Sequence, residues 1–190
     1  MAAPKLAYDS FVRVPLPTDE EISVFKEFAV KSGGDLNVSR MVAGTDDMMI
    51  GVVAMVKAVF DAKGIPKQSR ELIILRSAML LNCPYEWQQN TRMARNAGCT
   101  QAQIDAVAAE GPVTTLGDEI NLIMAATDEL TNSATLTDLT LQQLLDRYQP
   151  TITRKLILTI SWFNLLTRFL NGCRVPMETE DKIGIRTTPL

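Results

Sequence analysis

Residues 67–97 of this 190-residue chain read KQSRELIILRSAMLLNCPYEWQQNTRMARNA, and the stretch predicts two consecutive helices. The first, 67–82, is mainly apolar, has the length of a buried helix and lacks the period-2 alternation of a strand. Pro84 suits the first turn of a second helix, 84–97, and Gly98 suits the residue just past its end. Cys83 therefore lies where the two predicted helices meet, and Glu86 follows one turn later.

The rest of the chain shows the same helical character. Thr18 and Thr100 each open a capping box, and Thr137 is a further helix cap. Helical spacing of apolar residues, ended by glycine or proline, predicts helices over 18–33, 46–62, 100–110, 116–130, 137–148 and 151–171. We therefore predict an all-α fold. The expected organisation is a single domain over 1–190, with a core of about 40–172 and extended termini.

Composition narrows the possible functions. A net charge of −3 gives no general electrostatic reason to bind nucleic acid or an anionic membrane. No window approaches the roughly 20 uncharged apolar residues that a membrane span needs. Residues 1–11 contain no long apolar stretch, so we expect no signal peptide and a cytoplasmic location.

The chain has no histidine and three cysteines. Ser-His-Asp and Cys-His triads and histidine-ligated metal sites are thereby excluded. Proton transfer must use carboxylates, Tyr, Cys, Lys or bound water. Cys83, Cys99 and Cys173 form no close CxxC pair, which indicates free thiols in a reducing compartment.

Chemistry-bearing side chains are densest around the start of the second helix. Glu86 and Asn90 are four residues apart and share a helix face. At the helix mouth, Cys83 would gain thiolate character from the helix dipole, whereas Glu86 would oppose it. Desolvation beside Tyr85 and Trp87 would raise the pKa of Glu86 toward a useful acid–base value. Glu86 could equally serve only to complement the helix dipole.

A second group of candidates lies on other turns and helices. Glu71, twelve residues before Cys83, would need another helix or another subunit to reach the site, and Arg70-Glu71 alone indicates a solvated first turn. Arg92 and Arg95 indicate first a solvent-facing basic stripe and second an anchor for a substrate carboxylate. The last helix adds residues that line a pocket or cap the core edge: Trp162, Asn164 and Arg168.

These residues resemble the carboxymuconolactone decarboxylase family, in the superfamily that includes alkylhydroperoxidase D (AhpD). The resemblance is carried by SREL at 69–72, CPYEW at 83–87 and ARNAG at 94–98, is strong over 46–107, and recurs at 161–172. It implies an AhpD-like helical domain that binds a small-molecule substrate and assembles as a homo-oligomer (dimer, trimer or hexamer). No metal or cofactor is expected.

Two branches of this superfamily differ in the residues that they carry at these positions. Its peroxidase members resemble one another in a Glu, a Cys-x-x-Cys and a His four residues later. Glu71 and Cys83 match that pattern, whereas Glu86 and Asn90 replace the second cysteine and the histidine. The decarboxylase branch carries Glu-x-x-x-His on this helix, so Glu86 matches its acid–base glutamate. Thiol peroxidase chemistry normally needs a second thiol, which only Cys99 or Cys173 could supply.

Together these features favour a decarboxylase-like lyase that uses cofactor-independent acid–base chemistry on a small carboxylated or lactone substrate. Glu86 would move the proton, and Tyr85 or Asn90 would polarise a carbonyl. The alternatives are thiol peroxidase or oxidoreductase activity through Cys83, and a non-catalytic ligand-binding protein. The predicted catalytic residues are Glu86, Cys83, Asn90, Glu71 and Tyr85, and the predicted substrate-binding residues are Trp87, Arg92, Arg95, Trp162, Asn164 and Arg168.

Overall fold

The computed structural model describes residue 4, residues 12–22 and residues 36–189. In this part of the chain the regular secondary structure is helical throughout, which confirms the all-α prediction. The helices are α1 (Asn37–Ala43), α2 (Met48–Phe60), α3 (Lys67–Leu80), α4 (Pro84–Asn96), α5 (Gln101–Val107), α6 (Asp118–Ser133) and α7 (Asp138–Cys173). The helix predicted from Thr18 onwards lies, beyond residue 22, outside the described residues.

Local signals place several helix ends as predicted. Pro84 occupies the first turn of α4 and Cys83 is its N-cap. Thr100 and Gln103 form a complete capping box at α5. The predicted break at Pro150 is present inside α7, where Gln149 leaves the helical conformation with φ 60° and ψ 164°. Proline lacks an N–H and disfavours helical geometry in the residue before it, which explains this kink.

Helix α3 is the centre of the fold and packs against α4, α5, α6 and α7. Because it has neighbours on all sides, its apolar residues from Leu72 to Leu75 are fully buried. Arg70 and Glu71 are buried as well, so the expectation of a solvated first turn is wrong. Burial on every side arises from tertiary packing, which the first turn of a helix does not reveal by itself.

The C-terminal strap, residues 175–189, is non-helical and crosses back over α4. Its buried Glu178 accepts hydrogen bonds from the Tyr85 hydroxyl at 2.7 Å and from the Asn37 N–H at 2.6 Å. Further along, the Thr187 carbonyl accepts a hydrogen bond from Arg70 Nη2 at 3.2 Å. The strap thereby ties α1, α3 and α4 together beside the candidate site. Across the described ranges, no helix combines the length and apolar character needed to cross a membrane.

Candidate active site

A partly enclosed cavity of about 80 Å³ lies among α1, α2, α4 and α7. Most of its wall is apolar, and Phe60 and Phe163 meet there edge to face with ring centroids 6.0 Å apart. None of its lining residues is Lys or Arg. The polar and amphipathic residues of the wall are Ser39, Tyr85, Glu86, Gln89, Asn90 and Trp162.

Glu86 is a deeply buried carboxyl in the wall of this cavity. It is 2 % exposed, its Oε2 accepts a hydrogen bond from the Thr167 hydroxyl, and its Oε1 is buried without a partner among the described residues. Burial raises the pKa of Glu86 to about 8; the Thr167 hydrogen bond opposes this rise and the charge of Glu71 adds to it. Glu86 is therefore mainly protonated at neutral pH and can act as a proton donor.

Glu71 is the second buried carboxyl. Its Oε1 accepts a hydrogen bond from Arg70 Nη2 at 3.1 Å, while its Oε2 has no partner. Burial raises the pKa of Glu71 to about 7, against the opposing effect of Arg70. The negative charge of Glu71 raises the pKa of Glu86, so the two carboxyls interact within one chain. Packing of α3 against α4 brings Glu71 close enough for this, so no neighbouring subunit is needed.

Tyr85 and Asn90 are the two groups predicted to polarise a carbonyl, and both line the cavity. The Tyr85 hydroxyl already donates to Glu178 Oε1 and accepts from the Val38 N–H at 3.0 Å. The hydroxyl proton of Tyr85 is therefore already used in a hydrogen bond to the C-terminal strap. Asn90 Nδ2 donates to the backbone oxygen of Glu86 at 2.9 Å. This contact orients the amide along α4, and its side chain stays in the cavity wall.

Cys83 is buried in an apolar cluster with Ala78, Tyr85 and Leu170 and does not line the cavity. Burial raises the pKa of its thiol to about 12, and the neighbouring Glu86 adds to the rise. The nucleophilic thiolate is therefore scarce at neutral pH. Burial likewise raises the pKa of the Cys99 thiol, to about 11.

Two predicted carboxylate anchors lie away from the cavity. Arg92 is exposed, donates to the Gly184 carbonyl at 3.1 Å and pairs with Asp181 at 3.4 Å. Arg95 is exposed and donates to the Gln101 side chain at 2.9 Å. Their positions on α4 turn them outward, since Glu86, Asn90 and the buried face of this helix point the other way. This is the placement of a solvent-facing stripe.

Three further predicted substrate-binding residues are also outside the cavity lining. Trp87 packs between two apolar clusters of the core. Asn164 Nδ2 donates to Thr131 Oγ1 at 3.0 Å, and Arg168 Nη1 donates to Asn164 Oδ1 at 2.8 Å. The bond to Thr131 joins α7 to α6, and the bond from Arg168 lies within α7. Of the predicted substrate-binding residues, Trp162 is the one that lines the cavity.

Residues 46–129 match the family model of the carboxymuconolactone decarboxylase family. An uncharacterised peroxidase-related protein from Ralstonia eutropha JMP134, with an alkylhydroperoxidase AhpD core, superposes with a TM-score of 0.75 at 16 % identity, covering 95 % of this chain and 100 % of that chain. Residues 46–129 are thus similar to the carboxymuconolactone decarboxylase family, and the fold of the chain is AhpD-like.

A second solved structure supports the same fold. It is a protein of unknown function from Agrobacterium tumefaciens, described as a candidate antioxidant defence protein AhpD, with a TM-score of 0.63 and 20 % identity. The match covers 70 % of this chain and 92 % of that chain. No curated protein matches the sequence. At these identities the structural likeness establishes the AhpD-like fold, and the chemistry must be argued from the residues of this chain.

Three residues of the candidate site were missing from the sequence-based candidates. Gln89 follows Glu86 by three residues and shares its helix face, so spacing could have identified it. Thr167 and Glu178 contact Glu86 and Tyr85 across 81 and 93 residues of chain, and no local pattern announces such pairs. Within the described residues, no cluster of three or more Cys, Asp or Glu side chains is placed to hold a metal ion.

Proposed function

We propose that this chain is a cofactor-independent acid–base enzyme that acts on a small, mainly apolar lactone or other carbonyl compound. The observation that carries the proposal is Glu86, a buried carboxyl whose pKa is raised to about 8 and which lines an apolar cavity with one oxygen unpartnered. Strongly perturbed carboxyls in concave sites are typical of catalytic acids and bases.

In the proposed reaction, protonated Glu86 donates its proton to an oxygen of the substrate. The carboxylate that remains is stabilised by the hydroxyl of Thr167, which donates to Oε2. Glu71 acts as a positioning residue, since its negative charge raises the pKa of Glu86 and keeps the proton on Glu86 until substrate arrives. Arg70 in turn limits how far the pKa of Glu71 rises.

The character of the cavity favours a neutral substrate over a carboxylated one. A carboxylate transferred into apolar surroundings loses its hydration, and a nearby cation normally offsets that loss. The lining contains no Lys or Arg, and Arg92 and Arg95 lie on the outer face. The lactone branch of the sequence-based hypothesis is therefore the better supported one. The buried, neutral thiol of Cys83 lends no support to peroxidase chemistry.

The proposal can be tested with a panel of small lactones and cyclic ketones, followed by NMR for consumption of each compound. For a compound that the wild-type protein converts, Glu86→Gln should lower turnover by about 10²–10⁴-fold. Wild-type turnover should also fall as the pH rises past about 8, because Glu86 then loses the proton it donates. The matched control is Glu119→Gln, which alters an exposed carboxyl outside the cavity. Wild-type turnover in Glu86→Gln, with the fold intact by circular dichroism, would remove Glu86 from the mechanism.

We also propose that the chain forms a homo-oligomer through α2. This helix, MMIGVVAMVKAVF, carries one charged residue, yet Met48 and Ile50 are 67 % and 62 % exposed. An apolar helix face left open to solvent is typical of an interaction surface. Light scattering coupled to gel filtration should give a multimer for the wild type and a smaller species for Ile50→Glu. Leu139→Glu, on α7, is the control and should leave the mass unchanged; a monomeric wild type would contradict the proposal.

A further inference from the structure

Trp162 presents a hydrogen-bond donor for which the described part of the chain, residues 4, 12–22 and 36–189, supplies no acceptor. The residue is 7 % exposed, it lines the cavity, and its indole Nε1 is buried without a partner. An indole N–H can only donate, and a buried one ordinarily finds an acceptor. Leaving it unpaired costs stability, so this group is a candidate contact for a ligand in the cavity.

Glu86 presents a second unpaired atom in the same wall. Thr167 donates its hydroxyl proton to Oε2, so Oε2 is occupied as an acceptor. The oxygen left without a partner is Oε1, and the proton of the neutral carboxyl belongs there. An O–H at this position is also a donor. The cavity thus offers two unpaired donors and, among its lining residues, no cation.

We infer that Trp162 Nε1 and Glu86 Oε1 bind the same neutral carbonyl oxygen of a ligand, whose remaining surface is apolar. Trp162 would hold and polarise the carbonyl, and Glu86 would supply the proton. A carbonyl oxygen has two lone pairs and accepts from both donors, whereas a hydrocarbon accepts from neither. This inference rests on the proposed function for the role of Glu86 as acid and adds Trp162 as the residue that selects the carbonyl group.

The test uses cyclopentanone as the probe and cyclopentane as a ring that lacks the acceptor. The chain contains two tryptophans, Trp87 and Trp162, so ¹⁵N-labelled protein should show two indole N–H signals. Trp87→Phe removes the signal of the residue outside the cavity and assigns the other. Cyclopentanone should move the Trp162 signal downfield and leave that of Trp87 in place, and cyclopentane should not produce the downfield shift.

Affinity supplies the second measurement. Trp162→Phe keeps an aromatic ring but removes the donor, so it should weaken cyclopentanone binding by about three- to tenfold and leave cyclopentane binding nearly unchanged. Trp87→Phe should alter neither affinity. Equal losses for both rings, or no shift of the Trp162 signal in the wild type, would overturn the inference. The wild-type titration decides the matter even if Trp162→Phe fails to fold.

The two proposals can fail separately. If Glu86→Gln keeps full turnover while the Trp162 signal still responds to the ketone, the acid role of Glu86 is wrong and the carbonyl contact stands. If Glu86→Gln loses turnover and the Trp162 signal does not respond, the proposed function stands and the carbonyl contact is wrong.

Discussion

Two buried sites with ionisable side chains involve the same helix, α3, and they are built differently. Arg76 is fully buried, and its Nε and Nη2 donate to the two carboxylate oxygens of Asp128 at 2.6 and 2.8 Å. Its remaining N–H groups donate to backbone carbonyls of Val107, Ala109 and Gly111. At the other site, Glu71 and Glu86 each keep one oxygen without a partner.

The two sites differ in how completely their polar atoms are paired. Arg76 donates to backbone carbonyls at and just after the end of α5, and it pairs with Asp128 on α6. All of its hydrogen bonds are therefore made within the fold. Buried polar atoms left unpaired lower stability, and they persist where another role depends on them. Under the proposed function, the unpaired oxygens of Glu71 and Glu86 are where stability is given up for acid–base chemistry.

The largest expected effect is a pH dependence of stability that originates in the carboxyl site. The pKa of Glu86 rises from 4.5 to about 8 on folding. Between these values the native state holds a proton that the unfolded chain has released, so stability falls as the pH rises. Glu86 alone accounts for on the order of 5 kcal/mol across the window. The pKa of Glu71, raised to about 7, acts in the same direction.

Urea unfolding from pH 4.5 to pH 8 would measure this slope, and Glu86→Gln should flatten most of it. If the free energy of unfolding varies with pH in the same way in the wild type and in Glu86→Gln, Glu86 does not titrate in this window. The proposed difference between the carboxyl site and the Arg76 site would then be wrong.

Arg76→Met should destabilise the protein by about 3–5 kcal/mol, because it leaves Asp128 and three backbone carbonyls, that of Val107 buried, without their donor. Denaturant unfolding at pH 7 gives this number. Arg147→Met is the control, since its ion pair with Glu119 is about half exposed and should matter by less than about 1 kcal/mol. Similar losses in the two variants would mean that complete pairing of Arg76 adds no stability.

Cys83 should be modified at least a hundredfold more slowly than the partly exposed Cys173. With the pKa of its thiol near 12, the thiolate of Cys83 is about a thousandfold rarer than that of a thiol with the ordinary value. Iodoacetamide labelling at pH 8, read by peptide mass spectrometry, ranks the two sites. Fast labelling of Cys83 would favour the thiol of Cys83, and not the carboxyl of Glu86, as the reactive group of the site.

Thr167→Val should have the smallest effect on stability, about 1 kcal/mol, because one buried hydrogen bond is lost. The hydroxyl of Thr167 lowers the pKa of Glu86, so its removal should raise that pKa and shift the fall in turnover to higher pH. Thr127→Val is the control: its buried hydroxyl bonds within α6, to the Ile123 carbonyl at 2.8 Å. If turnover in Thr167→Val falls at the same pH as in the wild type, Thr167 does not influence the proposed acid function of Glu86.

Local sequence was sufficient for several of the helices, but not for all of those that line the cavity. Pro84, Gly98 and the caps at Thr100 and Thr137 act within one or two turns, so α4, α5 and the start of α7 lie close to where they were predicted. The short helix α1 was not predicted: no side chain caps its start, and the contact that secures its first N–H comes from Glu178 at the far end of the chain.

Glu86 and Asn90 could be grouped from the sequence because a spacing of four residues places them on one face of α4, and Tyr85 is the chain neighbour of Glu86. The burial of Glu71 and the pairing of Glu86 with Thr167 depend on which helices pack together, and spacing along one helix carries no such information. Acid–base chemistry also depends on desolvation. The residue types and the absence of histidine were therefore decided by the sequence, whereas the packing of α3, α4 and α7 decided which carboxyl lost its water and became the candidate acid.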